Sequence, residues 1–268
     1  MGDRRAIFIT GGGSGIGRAV AVYFGQRGWF VGLGDIDKAG MRETEEMIAN
    51  GFVYSHPLDV RDRSAWDEAL DAFCVAAGGR IDVLFNNAGV PLGGSLTENS
   101  AEEIERTLDI NLKGVLFGAQ AAYPYLKRTA PGSCLLNTAS AAGLYGTPGA
   151  SVYSATKFGV RAVTESLDGE WAVDGINVRS LMPSFIDTPL LDHNPNARSN
   201  EDIRQRVTGA GLEITPVADV AAAAWAAIHG DKLHTVVGKT AKTLAFGARW
   251  LPGRVRKQTR ALTRPMGE

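Results

Sequence analysis

Short apolar runs alternate with helix-compatible stretches along almost the whole chain, and this alternation limits the fold more than any other feature of the sequence. The apolar runs lie at residues 6–10, 29–34, 52–58, 82–86, 133–138, 177–181 and 234–238. The helix-compatible stretches lie at residues 16–27, 38–49, 61–77, 101–128, 151–173 and 217–230. Strands that are apolar on both faces belong in a parallel sheet covered by helices on both sides. The pattern therefore predicts an α/β fold, a doubly wound parallel sheet of about seven strands whose ligands bind beyond the carboxyl ends of the strands.

Two stretches do not fit the alternation, although the chain of 268 residues has no internal repeat or low-complexity linker and is expected to form one domain. Residues 184–215 form a long insertion, and its length predicts a lid over a substrate site. Residues 239–268 form a basic C-terminal extension whose single acid is Glu268.

The C-terminal extension carries apolar side chains at a helical spacing. They are Leu244, Ala248, Leu251 and Val255, with Pro252 interrupting the stretch. A basic amphipathic segment can lie on an anionic membrane surface, dock on a neighbouring subunit or fray at a chain end. The sequence leaves these alternatives open, and membrane contact is the less favoured interpretation.

Charge and cysteine content exclude several classes of protein. With 28 basic and 29 acidic side chains the net charge is -1, so a nucleic-acid partner is not expected. Cys74 and Cys134 lack metal-ligand spacing, and we expect buried free thiols in a reducing compartment. No apolar run reaches the length of a membrane span, and the first strand begins too early for a signal peptide. The expected location is the cytoplasm.

The segment TGGGSGIG at residues 10–17 joins the first predicted strand to the first predicted helix. Glycines let the backbone approach a pyrophosphate, whose charge the free amides at the helix start stabilise. Asp35 ends the second strand, where a carboxylate can accept hydrogen bonds from the adenosine ribose. That charge would repel the extra phosphate of NADP, and neither Ser14 nor Gly34 supplies a basic side chain, so NAD is the predicted cofactor. Asp35 and Asp37 could also cap the next helix, which does not exclude ribose binding.

Tyr153 and Lys157 are four residues apart in a helix-compatible stretch, which places them on the same face, one turn apart. Lowering a tyrosine pKa from about 10 to about 7 takes about 4 kcal/mol. A lysine ammonium at about 4 Å supplies roughly that much at an effective dielectric constant of about 20. Ser140, a short loop upstream, has a hydroxyl that can orient a substrate oxygen. We therefore predict that Tyr153 acts as general base towards an alcohol or general acid towards a carbonyl.

These residues give the chain a resemblance to the short-chain dehydrogenase/reductase family, over about residues 6–238. The glycine turn, NNAG at 86–89, YSATK at 153–157 with its upstream serine, and PSFIDTP at 183–189 match family motifs in the family's order. Ser184 departs from the glycine common there, which bears on the shape of the pocket. The resemblance implies a Rossmann-fold oxidoreductase that transfers a hydride between NAD(H) and a small-molecule alcohol or ketone. It also implies a homodimer or homotetramer assembled through the long helices.

The resemblance further implies roles for individual residues. Its catalytic residues would be Asn111, Ser140, Tyr153 and Lys157, with Asn111 holding a water that relays the proton. Its cofactor-binding residues would be Gly11, Ser14, Gly15, Ile16, Gly17, Asp35, Ile36, Asp59, Val60, Asn87, Ala88, Gly89, Tyr153, Lys157, Pro183, Ile186 and Thr188. Within this set Asp59 is expected at the adenine, Lys157 at the nicotinamide ribose, and Ile186 and Thr188 at the carboxamide.

The substrate is expected in a mostly apolar pocket. The candidates for substrate contact are Leu144, Tyr145, Phe185 and Leu190. This set predicts a hydrophobic or aromatic secondary alcohol or ketone rather than a sugar or a phosphorylated metabolite. Arg204 and the other lid arginines could bind an acidic group, although solvated lid charges are the simpler explanation. Two alternatives remain: a ketoreductase working mainly in the reducing direction, and a non-catalytic NAD-binding sensor or scaffold.

Overall fold

The computed structural model describes residues 4–48 and 51–262, and a parallel sheet forms its centre. The strands are Ala6–Thr10 (β1), Phe30–Asp35 (β2), Val53–Pro57 (β3), Val83–Asn86 (β4), Cys134–Thr138 (β5), Asn177–Pro183 (β6), Phe185–Ile186 (β7), Ile214–Thr215 (β8) and His234–Val237 (β9). Seven of them form one sheet in the order β3-β2-β1-β4-β5-β6-β9, with parallel neighbours, while β7 and β8 form a separate two-stranded ladder. The chain winds outwards from β1 to β3 and then continues from β4 on the other side of β1. The predicted doubly wound parallel sheet is confirmed.

Helices cover both faces of this sheet. Within the described residues they are Gly15–Gly25 (α1), Lys38–Ile48 (α2), Arg63–Ala76 (α3), Ala101–Leu108 (α4), Gly114–Thr129 (α5), Ser151–Trp171 (α6), Ile203–Gly209 (α7), Val217–His229 (α8), Lys239–Trp250 (α9) and Pro252–Leu262 (α10). In this part of the chain no helix combines the length and apolarity needed to cross a bilayer.

The side chains of β1 show how the two faces are filled. Ile7 and Ile9 point into one buried cluster with α1 and α8, and Phe8 points into another with α3 and α5. The ring centres of Phe8 and Phe73, from α3, are 5.2 Å apart. All five residues of β1 are fully or almost fully buried. This double burial is the reason that the strand is a continuous apolar run without alternating polar residues.

Several elements differ from the predicted pattern. The predicted helix at 101–128 is divided by a π-helical turn at Asp109–Lys113, between α4 and α5. The short strands β7 and β8 and the helix α7 lie inside the predicted lid, and Pro252 begins a second C-terminal helix. Residue 49 of the predicted second helix, residues 1–3 and the end of the tail at 263–268 lie outside the described residues.

Candidate active site

The glycine turn after β1 has the backbone shape that a phosphate-binding loop needs. Gly11 and Gly15 have φ angles of 68° and 52°, which residues with side chains rarely adopt. A Cβ atom at Gly17 would lie 2.0 Å from the carbonyl oxygen of Gly11, so α1 can pack against the turn only with glycine there. Ser14 stands at the N-cap of α1 without a side-chain hydrogen bond to the helix. The start of α1 can therefore offer its amides to an anion.

Residues of α1 and α2 hold this turn in place. The Thr44 hydroxyl donates a 2.9 Å hydrogen bond to the carbonyl of Gly12. Arg18 donates to the carbonyl of Gly13 and, at 2.7 Å, to the carboxylate of Glu43. Sequence reasoning missed Thr44 and Arg18, because their role depends on how two helices approach one loop and no motif marks it.

Asp35 is fixed beside the glycine turn. Its carboxylate accepts hydrogen bonds from the amides of Gly13, at 2.9 Å, and Asp37, at 3.0 Å. The carboxylate of Asp37 accepts hydrogen bonds from the amides of Ala39 and Gly40 and thereby caps α2. The capping role considered for both aspartates thus belongs to Asp37. Asp35 instead orders the turn, and its carboxylate oxygens can accept further hydrogen bonds from ribose hydroxyls.

The residues expected around an adenine lie at the ends of β2 and β3. The apolar side chain of Ile36 is 73% exposed, as a platform for a flat ring would be. Asp59 forms a 2.6 Å salt bridge with Arg61, and the hydrogen bond from this arginine lowers the pKa of Asp59. Val60 is buried, and its carbonyl accepts the indole N–H of Trp66 at 3.0 Å. Any adenine contact through Asp59 must therefore share its carboxylate with Arg61.

The NNAG segment connects the glycine turn to the predicted catalytic residues. The amides of Asn87 and Ala88 both donate 3.0 Å hydrogen bonds to the hydroxyl of Thr10. At the other end of the segment, a Cβ atom at Gly89 would lie 3.3 Å from Oδ1 of Asn111 and 3.8 Å from Nζ of Lys157. The structure thus brings the two predicted groups of residues into one site.

Buried amides fasten α6 to the central strands. Nδ2 of Asn86, in β4, donates to Oδ1 of Asn137 in β5 at 3.1 Å. Nδ2 of Asn137 donates to the hydroxyl of Thr164 in α6 at 3.0 Å. All three residues are buried, so these hydrogen bonds are shielded from water. They fix the position of α6 relative to the ends of the strands.

Ser140, Tyr153 and Lys157 come together at the carboxyl end of β5. Tyr153 and Lys157 lie one turn apart in α6, and Nζ of Lys157 is 5.5 Å from the centre of the tyrosine ring. The Ser140 hydroxyl lies near enough to the Tyr153 phenol to lower its pKa. Ser140 Oγ also accepts a 3.1 Å hydrogen bond from the amide of Ala142, which orients it.

Burial opposes the expected direction of the tyrosine pKa shift. It raises the pKa of Tyr153 above its usual value, and Ser140 offsets only part of this effect. The ammonium of Lys157 donates a 2.9 Å hydrogen bond to the carbonyl of Thr138. Burial also lowers the pKa of Lys157, to about 8. Tyr153 is therefore protonated at neutral pH and poised to donate a proton.

Asn111 lies in the π-helical turn between α4 and α5 and is fully buried. Its side-chain oxygen accepts the amide of Val90 at 2.8 Å, and its side-chain nitrogen donates to the carbonyl of Val90 at 2.8 Å. The side chain thus holds the loop after β4 in place. The water relay expected of Asn111 stays a prediction.

The segment after β6 reaches the glycine turn. The carbonyl of Pro183 accepts a 3.4 Å hydrogen bond from the hydroxyl of Ser140. Ile186 is buried in β7, and a Cβ atom at Gly15 would lie 3.3 Å from Cβ of Thr188. The residues predicted to flank a nicotinamide carboxamide therefore lie between the predicted catalytic group and the start of α1.

Ser184, the departure from the family pattern, turns its hydroxyl towards Gly238. A Cβ atom at Gly238 would lie 2.3 Å from Ser184 Oγ, and the φ angle of Gly238 is 92°. A glycine at position 238 therefore makes room for the serine.

The predicted substrate residues follow the carboxyl ends of two neighbouring strands. Leu144 and Tyr145 come after β5, and Phe185 and Leu190 come after β6; all four are partly exposed. The segment at 184–215 covers this region and is tied down on both sides. Its two ends pair through β7 and β8, and Asn196 donates a 3.1 Å hydrogen bond to the carbonyl of Gly93.

Arg204 forms ion pairs within the segment at 184–215. Its guanidinium forms salt bridges of 2.7 Å with Asp187, which precedes the 3-10 turn at Pro189–Asp192, and of 2.6 Å with Asp192, the last residue of that turn. Arg206 likewise pairs with Glu201, at 3.5 Å. This agrees with the interpretation of these arginines as lid charges rather than substrate ligands.

The residues around the glycine turn fit a dinucleotide. The turn has no room for side chains at Gly11 and Gly17, the start of α1 is uncapped, and a carboxylate and an exposed apolar side chain follow β2. Among the described residues there is no cluster of histidine, cysteine, aspartate and glutamate that could hold a metal ion. Fold and site together define a doubly wound protein of the dinucleotide-binding class.

Comparison with known proteins narrows this class. The short chain dehydrogenase family profile matches residues 5–199, and the chain belongs to this family. A 3-oxoacyl-[acyl-carrier-protein] reductase of Thermotoga maritima is 36% identical over 197 residues, covering 72% of this chain and 78% of that protein.

Two solved structures share the whole architecture. A short chain dehydrogenase/reductase of Burkholderia phymatum, in complex with NAD, superposes with a TM-score of 0.82 at 27% identity, covering 96% of this chain and 95% of the other. A 3-ketoacyl-(acyl-carrier-protein) reductase of Brucella melitensis, complexed with NADH, gives a TM-score of 0.76 at 27% identity, covering 87% and 96%. The protein is therefore an oxidoreductase of the short chain dehydrogenase family.

Proposed function

We propose that the protein transfers a hydride between NAD(H) and a hydrophobic or aromatic secondary alcohol or ketone. The observation that carries this proposal is that Ser140, Tyr153 and Lys157 come together at the carboxyl end of β5, next to the glycine turn. The partly exposed candidates for substrate contact, three of them apolar, support the substrate class. A panel of aromatic, steroidal and aliphatic alcohols and ketones, assayed by NADH absorbance, tests it; turnover confined to sugars or phosphorylated compounds would exclude the apolar pocket.

The bound dinucleotide would supply the hydride acceptor or donor, and the residues of the chain would handle the proton. The Tyr153 hydroxyl donates a proton to a carbonyl oxygen or removes one from an alcohol. The Ser140 hydroxyl donates a hydrogen bond to the same substrate oxygen. Lys157, held by the Thr138 carbonyl, keeps a positive charge near the phenol and the ribose site. Asn111 fixes the loop at Val90, which borders this space.

The reducing direction is favoured as the main activity at neutral pH. Burial keeps Tyr153 protonated, which suits a proton donor to a carbonyl. Reductases among the similar proteins agree with this preference.

The pH dependence of the two directions should therefore differ. Because the raised pKa of Tyr153 leaves the acid form dominant, we expect kcat/KM for ketone reduction to stay flat between about pH 6 and about pH 8. Alcohol oxidation needs the ionised tyrosine, so its kcat/KM should rise up to about tenfold per pH unit over that range. Steady-state rates in both directions measure this. An oxidation rate that is already pH-independent at neutral pH would contradict a raised tyrosine pKa.

We also propose NAD rather than NADP as the physiological cofactor, because Asp35 is fixed by two backbone amides where the adenosine ribose is expected. Replacing Asp35 by serine removes the charge that repels a ribose phosphate. The ratio of kcat/KM with NAD to that with NADP should fall by about 100-fold or more, since a like-charge contact costs several kcal/mol.

Asp37→Ser is the matched control for this cofactor experiment. It removes a carboxylate two residues away that caps α2, and it should leave the cofactor ratio unchanged. If both variants change the ratio equally, the effect belongs to the fold of this loop and not to Asp35.

We propose that residues 184–215 act as a substrate lid, with Arg204 as its internal clamp. Arg204→Met removes the salt bridges to Asp187 and Asp192, and the segment that carries Thr188 should lose its fixed position. We expect KM for the substrate to rise about tenfold, since poor positioning weakens binding and orientation. Arg206→Met, which breaks a pairing on the lid surface, should leave KM unchanged; equal effects would argue against the clamp.

We further propose that the protein forms a homodimer or homotetramer in the cytoplasm. The apolar groove between α5 and α6 is lined by Leu116, Ala119, Gln120, Tyr123, Leu167 and Trp171. Leu116 and Phe158 on these helices are 44% and 41% exposed, which suits a surface that a second subunit covers.

A further inference from the structure

The two C-terminal helices α9 and α10 pack against each other after the last strand, and one side of the pair is exposed. Between residues 239 and 262 the chain has seven basic residues and no acidic one: Lys239, Lys242, Arg249, Arg254, Arg256, Lys257 and Arg260. The whole chain, by contrast, has a net charge of -1, so positive charge is concentrated here.

The exposed side of α9 carries aromatic side chains. Phe246 and Trp250 are 61% and 63% exposed and lie one turn apart, with Lys242 one turn before them on the same stripe. Leu251, next in sequence, is 43% exposed. Trp250 is the only exposed one of the five tryptophans, all of which lie in the described residues.

The apolar stripe expected from the sequence faces mostly inwards. Leu244 and Ala248 are partly buried, and Val255 of α10 is buried. A Cβ atom at Gly247 would lie 2.9 Å from Cγ2 of Val255, so the glycine lets α10 pack closely against α9. This contact keeps the basic helix α10 beside the aromatic stripe.

We propose that the pair α9–α10 binds the surface of a membrane containing anionic lipids. Exposed Trp and Phe side chains together with several Lys and Arg side chains are what an interfacial helix presents to a bilayer. Phe246 and Trp250 would enter the headgroup region, while Arg254, Arg256 and Lys257 would contact lipid phosphates. The proposal does not depend on the proposed hydride transfer.

Charge argues against two other occupants of this surface. A second copy related by a two-fold axis would place the same basic helices against each other, which like charges oppose. A nucleic acid would be attracted by the basic residues, but the acidic remainder of the chain would repel a long polyanion. A lipid surface, in contrast, would contact only this basic face of the protein.

Flotation of the full chain with vesicles tests the proposal. We expect binding to vesicles of phosphatidylcholine mixed with phosphatidylglycerol, little binding to phosphatidylcholine alone, and loss of binding in high salt. Trp250 fluorescence should shift to shorter wavelength on binding. Failure to float with the anionic vesicles would overturn the proposal.

Two double variants separate the contributions of charge and aromatic contact. Arg254→Glu with Lys257→Glu, and Phe246→Ser with Trp250→Ser, should each lower the vesicle partition coefficient about tenfold or more. Val75→Ser, on α3 and 81% exposed, is the control for loss of an exposed apolar side chain and should have no effect. All variants should keep the oxidoreductase activity of the parent chain. Unchanged partitioning of both double variants would overturn the proposal.

Two further outcomes would assign the surface to another occupant and so overturn the lipid proposal. One is a change of molar mass in light scattering for the aromatic variant, which would indicate a second copy. The other is tighter binding to an oligonucleotide than to the anionic vesicles at equal salt.

Discussion

Tyr153→Phe should lower kcat/KM by about 10² to 10⁴ in both directions while NADH binding stays unchanged. The variant removes only the phenolic hydroxyl and leaves the ring in place in α6. NADH binding, measured by fluorescence titration, reports whether the cofactor site survives. Retained binding with lost turnover would support an enzyme in which this hydroxyl moves the proton.

This experiment also separates an enzyme from a non-catalytic NAD-binding sensor. Tyr54→Phe, in the edge strand β3 with β2, β1 and β4 between it and β5, is the matched control and should keep full activity. If Tyr153→Phe and Tyr54→Phe behave alike, the proton-transfer role of Tyr153 is wrong. A parent chain that binds NADH but turns over no alcohol or ketone would favour the sensor.

Lys157→Met should lower activity and, at the same time, raise thermal stability at neutral pH. Lys157 is 3% exposed, and burial lowers its pKa from 10.5 to about 8. A shift of this size means that burying the charged form costs about 3 kcal/mol. Methionine has nearly the same volume without the charge, although it loses the hydrogen bond to Thr138. We expect a net gain of about 1 to 3 kcal/mol in the free energy of unfolding.

The pH dependence of this gain follows from the direction of the pKa shift. Between about pH 8 and 10.5 the unfolded wild type binds the lysine proton and the folded one does not, so wild-type stability rises with pH. The advantage of Lys157→Met should be full below pH 8 and shrink towards pH 10.5. Denaturant unfolding at several pH values measures it, and Lys232→Met, at an exposed site, is the control. A variant that is less stable at neutral pH would show that Lys157 is stabilising where it stands.

The order of strands and helices could be predicted from the sequence because each buried strand is an apolar run bounded by turns. The lid could be predicted only as an insertion, since β7 and β8 are two residues each and their pairing depends on distant parts of the chain. The π-helical turn at Asp109–Lys113 could not be predicted, because these five residues include no proline or glycine that would mark a break in the helix.

The candidate site likewise has parts that could be predicted from the sequence and parts that could not. Ser140, Tyr153 and Lys157 follow from their spacing, and the structure brings them together. The direction of the tyrosine pKa shift could not be predicted, because it depends on the burial of the phenol. Burial is a property of the packed structure, and the spacing of two residues in the sequence does not determine it.

The buried hydrogen bonds from Asn86 through Asn137 to Thr164 tie the helix of Tyr153 to the middle of the sheet. The side chains predicted to recognise the substrate come instead from connections beyond the strand ends. Reactivity and substrate choice are therefore carried by separable parts of one polypeptide. Grafting a different segment in place of residues 189–213, beyond Ile186 and Thr188, is therefore expected to change the accepted substrates while leaving the proton transfer intact.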